Sequence, residues 1–163
     1  WDSVDAKLAL IRDFAAEMTD ALREHPELYH AGYTQDALKE VVEAHTLAAM
    51  IRQQTLPDAA VLGVSAATYL NGLAEAATEL RRFILDIMRQ EVSHSAEAER
   101  LLRCMDAIYD QLVTFDFPDA ITNGLRRQTD VVRGVLETTR GDLTTSFRQQ
   151  MLQEALKRAE ERG

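Results

Sequence analysis

Apolar residues recur at three- and four-residue intervals along nearly the whole chain, the spacing of helices with one buried face. No segment alternates apolar and polar residues as a strand would. Leu8, Ile11, Ala15, Met18 and Leu22 form one stripe of a first helix predicted from Ser3 to Glu24, ended by His25-Pro26 because the residue before proline avoids the helical region. A second helix is expected from Thr34, read as its N-cap, to Gln54, with Leu56-Pro57-Asp58 as the break. The third runs from Ser65 to Val92, with Leu70, Leu73, Ala77, Leu80, Ile84 and Ile87 on one stripe and Thr68, Glu75, Glu79, Arg82 and Asp86 on the other. A fourth covers Ala96 to Thr114, and Phe115 to Pro118 form a turn. A fifth covers Asp119 to Thr139 with a break near Asn123-Gly124; Gly141 is expected to end it, leaving Leu143 to Glu161 for the last. The pattern predicts an all-α helical bundle in one domain over residues 1–163.

The second helix departs from simple amphipathicity. Leu38, Val42, His45 and Ala49 lie on one side, while Ala44, Leu47, Met50 and Ile51 lie on the other. A helix apolar nearly all round is covered on most sides. Glu40 and Glu43 fall in line with Leu47 and Ile51, an unusual place for carboxylates.

Composition narrows the class. Hydrophobic residues make up 46% of the 163, with few aromatics, glycines or prolines, as befits a helical globular chain. Cys104 is the single cysteine, so no internal disulfide forms, which suits a reducing compartment and a cytoplasmic location. No apolar run approaches the roughly 18 residues of a membrane span, and no signal-peptide pattern is visible. The chain opens on Trp1 rather than Met, which leaves room for preceding residues. The formal net charge of −9 argues against a general nucleic-acid coat, since phosphate binding needs cations. That charge is uneven: residues 1–80 carry five basic and thirteen acidic residues, a net −8, and residues 81–140 carry nine arginines against ten acids, a net −1. Any phosphate-binding surface therefore draws on the second half, although on charge alone arginines that only solvate helix faces and pair with glutamates are the better reading.

Glu40 and Glu43 stand at i, i+3, and Glu75 and Glu79 at i, i+4, so each pair shares one face of its own helix. If the two helices are neighbours, four carboxylates meet. Crowded carboxylates repel, and an oxygen-only donor set selects hard cations such as Mg²⁺ or Mn²⁺. Spacing alone equally describes solvated helix faces. Other signals are weaker. Glu91-Val92-Ser93-His94 reads as the E-x-x-H of di-iron bundles, which need a second copy that is not found. His45 and Cys104 sit in apolar settings that suit core packing. No P-loop, G-x-G-x-x-G or G-x-S-x-G is present.

Several segments resemble one family. Leu38-Lys39-Glu40-Val41-Val42-Glu43-Ala44 resembles the E-Y-V-E-A stretch of TRAX, the translin-associated factor X. Tyr69-Leu70-Asn71-Gly72-Leu73-Ala74-Glu75-Ala76-Ala77-Thr78-Glu79-Leu80-Arg81-Arg82 is similar to its Y-L-x-G-x-A-D-x-T-G-E-L-x-R segment, the most specific of the set. Ile108-Tyr109-Asp110 with Phe115 resembles V-Y-D-G-F, and Leu125-Arg126-Arg127 through Leu136-Glu137 resembles the basic helix before the C-terminus. The resemblance runs in order over about residues 33–140.

A translin/TRAX resemblance implies a seven-helix protein assembling into a hollow octamer, with Mg²⁺-dependent endoribonuclease activity on single-stranded RNA. It implies Glu40, Glu43, Glu75 and Glu79 as metal ligands and catalytic carboxylates, and Arg82, Arg126, Arg127 and Arg133 as RNA contacts, with single-stranded DNA as a further ligand. Glu75 replaces the family's Asp, one methylene longer, and Thr78 replaces the Gly before Glu79. Eukaryotic insertions are absent, which suggests a compact archaeal or bacterial homo-oligomer with RNA held inside an acidic shell. Two other functions compete: a non-catalytic RNA- or DNA-binding oligomer, and an all-α nucleotide pyrophosphohydrolase, which pairs an E-x-x-E with a following E-x-x-D; here the second pair is spaced four, and no acidic residue follows Glu75 at three. A structural helical adaptor is the remaining alternative.

Overall fold

The computed structural model describes residues 1–90 and 96–162. Five long helices and three single turns follow one another: α1 (Asp2–Ala21), α2 (Pro26–Tyr29), α3 (Gly32–Ile51), α4 (Ala59–Leu62), α5 (Ala66–Gln90), α6 (Ala96–Leu112), α7 (Asp119–Thr122) and α8 (Leu125–Glu160). There is no strand among the described residues, and no helix there is long and apolar enough to cross a membrane.

The strongly amphipathic α5 occupies the centre, packed on α3 to one side and on α6 and α8 to the other. Leu80 and Ile84 of α5, Leu101 and Met105 of α6, and Val132 and Leu136 of α8 bury almost completely in one cluster, each worth roughly 1.5–3 kcal/mol of transfer free energy. On its other side α3 meets α1, where Ala15 packs on Leu38 and Val41. α3 is thus sandwiched, which explains its apolar residues on opposing faces.

The helix ends follow local chemistry with three corrections. α1 stops at Ala21, and Pro26 opens α2 as its first residue, where a missing N–H costs nothing. Thr34 does not cap α3. It is buried inside the first turn, and its hydroxyl donates to the Leu28 carbonyl at 2.7 Å. Gly141 does not end a helix, because α8 runs through it. A mid-helix glycine costs only about 1 kcal/mol relative to alanine, and α5 grips α8 on both sides of it. Arg81 Nη1 donates to Thr139 Oγ1 at 3.1 Å and pairs with Asp142 at 2.8 Å, while Leu143 is buried. The expected break at Asn123-Gly124 is real: both residues adopt left-handed φ, 52° and 78°. Asn71 Nδ2 donates to the Thr122 carbonyl at 2.8 Å and ties that turn to α5. The Glu91–His94 motif lies outside the described residues.

Candidate metal centre

The site begins with a glycine. A Cβ on Gly72 would stand 2.7 Å from the Lys39 carbonyl oxygen and 2.7 Å from Val42 Cβ, so only glycine lets α5 approach the α3 backbone this closely. One turn beyond Gly72 on α5 is Glu75. Adjoining Lys39 and Val42 on α3 are Glu40 and Glu43. The close crossing therefore brings Glu75 against Glu40 and Glu43.

Glu40, Glu43 and Glu75 each offer a carboxylate oxygen, all within 4.8 Å of one another. Glu79, the next turn along α5, is exposed and stands outside that trio, yet its charge reaches Glu43. Glu43 is half-buried, and its pKa rises from 4.5 to about 7. Burial is the main cause, followed by repulsion from Glu40, Glu75 and Glu79, which Lys39 partly offsets. The donor set fits a hard divalent cation: oxygen only, drawn from two helices, and crowded enough to hold a proton near neutrality without one.

Two supporting side chains carry no signal of their own in the sequence. Lys39 Nζ lies 2.9 Å from Glu75 Oε1 and 3.3 Å from Asp36 Oδ1. Burial works against its ammonium, but the hydrogen bonds and charges of Glu75 and Asp36 outweigh that and hold its pKa above the ordinary lysine value. From α8, Gln128 Nε2 donates to the same Glu75 oxygen at 3.1 Å. These contacts fix the longer Glu75 side chain. Thr78 turns its hydroxyl back to the Glu75 carbonyl at 2.8 Å, so the residue at the family's glycine position is accommodated within α5. The one local signal for this arrangement is Gly72 itself, since a glycine inside an otherwise strong helical pattern generally marks a close approach.

Of the four candidate arginines, Arg82 is exposed and shares the polar α5 stripe with half-buried Glu75 and exposed Glu79, seven and three residues away. Arg126, Arg127 and Arg133 are exposed on α8. Counted at 100° per residue from Gln128, which reaches the carboxylates, Arg126 and Arg133 project from the far side of the helix. Arg126 pairs with Asp116 at 2.7 Å and Arg133 with Asp130 at 3.3 Å, both solvent-exposed pairs of little energetic weight. Cys104 is half-buried and free, with Arg100 Nη1 at 3.7 Å.

No protein-family model matches the chain. Solved structures do. The crystal structure of AfC3PO is 34% identical, with a TM-score of 0.76, over 92% of this chain and 75% of that one. The AfC3PO–duplex RNA complex is 37% identical, with a TM-score of 0.74, over 83% of this chain and 70% of its counterpart. The apo-NeC3PO crystal structure is 21% identical, with a TM-score of 0.76, over 89% and 74%, and supports the fold alone. An uncharacterised protein of Methanocaldococcus jannaschii is 34% identical over 142 residues, 86% of this chain; the chain spans 62% of that relative's length. Fold, segment order and identity agree: the chain belongs to the C3PO family of translin and TRAX proteins.

Proposed function

We propose that this chain is an RNA-binding C3PO-type subunit that cleaves single-stranded RNA with the help of Mg²⁺ or Mn²⁺ held by Glu40, Glu43, Glu75 and Glu79. The observation that carries this reading is the convergence of oxygens from Glu40, Glu43 and Glu75 within 4.8 Å across the α3–α5 crossing. A bound cation would supply Lewis-acid activation of water and charge neutralisation at the phosphate. Lys39 and Gln128 orient Glu75 for its part in that donor set. Glu43 loses its proton near neutral pH, so cation affinity climbs as pH passes about 7. Arg82, on the carboxylate stripe, holds the RNA backbone beside the site. Arg126, Arg127 and Arg133 serve phosphates further along the strand. The assembly is a homo-oligomer, an octamer on the family pattern, working in the cytoplasm.

A specific observation favours a second reading, a binding oligomer without turnover. Lys39 already neutralises Glu75 at 2.9 Å, so the cluster is partly satisfied by the chain itself. One experiment separates the two. Purified protein is incubated with labelled single-stranded RNA in Mg²⁺, in Mn²⁺ and in EDTA, with duplex RNA alongside because one solved relative holds a duplex. Metal-dependent cleavage that disappears in Glu43→Gln and Glu79→Gln, with RNA retention on filters unchanged, supports the enzyme. Binding without cleavage under every condition leaves the binding oligomer.

A further inference from the structure

On the side of α3 away from the carboxylates, a cavity of about 260 Å³ opens against α1. His45 stands two residues beyond Glu43, about 200° around the helix, and lines this cavity together with Arg52 and with Arg12 of α1. Three polar atoms there are withdrawn from solvent and have no hydrogen-bond partner: Arg52 Nε, Arg52 Nη2 and His45 Nε2. Such atoms are rare in folded proteins and ask for a reason.

The two arginine atoms are not a random pair. Nε and Nη2 form the side-on edge of the guanidinium, whose parallel N–H bonds match two oxygens of one oxyanion. The rest of the group is committed elsewhere. Nη1 is held by Asp5 of α1, and the Trp1 ring covers the guanidinium face at 4.3 Å. The Nε–Nη2 edge is the part of the group left without a partner, and it is buried. Burial and the nearby charge of Arg12 hold the His45 pKa below the ordinary histidine value, against a hydrogen bond between the ring and the Leu8 backbone; Arg12's own carboxylate neighbour, Asp13, is a loose, exposed contact at 3.6 Å. Asp5 lines the same cavity, so two guanidinium groups there stand against one carboxylate, itself committed to Arg52.

We propose that this cavity is a phosphate-binding site, with the Nε–Nη2 edge of Arg52 holding two oxygens and Arg12 and His45 meeting the others. A carboxylate would fill the guanidinium edge and leave nothing for the remaining groups, whereas a tetrahedral phosphate has oxygens to spare. Nε2 of His45 and a phosphate oxygen share one proton, whichever carries it. The site is separate from the carboxylate centre and does not depend on RNA cleavage. Its phosphate comes either from free inorganic phosphate or from the terminal phosphate of an oligonucleotide.

The test is titration calorimetry of the purified protein with inorganic phosphate, then with one short oligonucleotide bearing either a 5′-phosphate or a 5′-hydroxyl. Saturable phosphate binding is expected, weakened about tenfold or more by Arg52→Lys, which keeps a charge for Asp5 but has no planar two-donor edge. Arg12→Gln should weaken it less, and thermal melting of both variants reports whether the fold is kept. A preference for the 5′-phosphate oligonucleotide that vanishes in Arg52→Lys assigns the site to a strand end; equal binding of the two forms assigns it to free phosphate. No saturable phosphate binding by the wild type at millimolar concentration, or equal binding by folded Arg52→Lys, overturns the proposal and leaves the three atoms to buried water.

Discussion

Glu43→Gln separates the electrostatics of the carboxylate site from its shape. The amide keeps the size of the side chain and removes its charge. In the folded protein Glu43 titrates near 7 instead of 4.5, so between those values the folded state holds a proton that the unfolded state has released. Stability therefore falls as pH rises through that window: the penalty is absent below about 4.5 and complete above about 7. At about 1.4 kcal/mol per pKa unit the displacement caps the penalty at roughly 3 kcal/mol. Solvent screening of a half-exposed side chain reduces it to about 1–2 kcal/mol. The variant should thus equal the wild type near pH 4.5 and exceed it by that amount at pH 8, a gain of roughly 2–8 °C in Tm for a chain of this size. Urea denaturation at several pH values, in EDTA and at one protein concentration, measures it. Adding Mn²⁺ at pH 8 should close the gap, because cation binding stabilises only the protein that keeps all its ligands. A stability difference that is the same at pH 5 and pH 8, or a variant less stable than the wild type at both, would refute the assignment of Glu43 as the crowded carboxylate.

Three further outcomes test the construction of the site and its surroundings. Gly72→Ala pushes a Cβ into the Lys39 carbonyl at 2.7 Å and should cost about 1–3 kcal/mol through overpacking, while spreading the carboxylates enough to weaken Mn²⁺ binding, read by electron paramagnetic resonance; a variant with wild-type stability and affinity would show that the crossing does not set the site. Arg126→Ala with Arg127→Ala should lower the slope of log affinity for RNA against log salt by about one for each phosphate no longer neutralised, and an unchanged slope would place the RNA elsewhere. Phe147, Met151, Leu152 and Leu156 lie exposed on the half of α8 beyond Leu143, apolar surface suited to packing between copies; light scattering should report a large homo-oligomer at micromolar concentration, and a monomer would remove the assembly from the proposal.

Much of the fold was legible because helical periodicity is local information. Residues three and four apart share a face wherever the helix sits, so the long helices, the amphipathic α5 and the two-sided α3 could be read from the chain, as could the shared face within each glutamate pair. The family segments pointed to the same glutamates. What local spacing cannot carry is the register between helices, which is decided by packing among residues far apart in the chain. Gly72 against the backbone of α3 sets how closely the glutamate pairs meet, and brings Lys39 and Gln128 onto Glu75 from two different helices. Arg81 reaching Thr139 and Asp142 carries α8 through a glycine that alone would suggest a stop. The same dependence on packing separates Arg82, on the carboxylate stripe, from Arg126 and Arg133 across α8, and leaves Arg52 and His45 with unpartnered atoms beside α1. Periodicity determined which residues share a helix face; only the packing of one helix on another decided which faces meet.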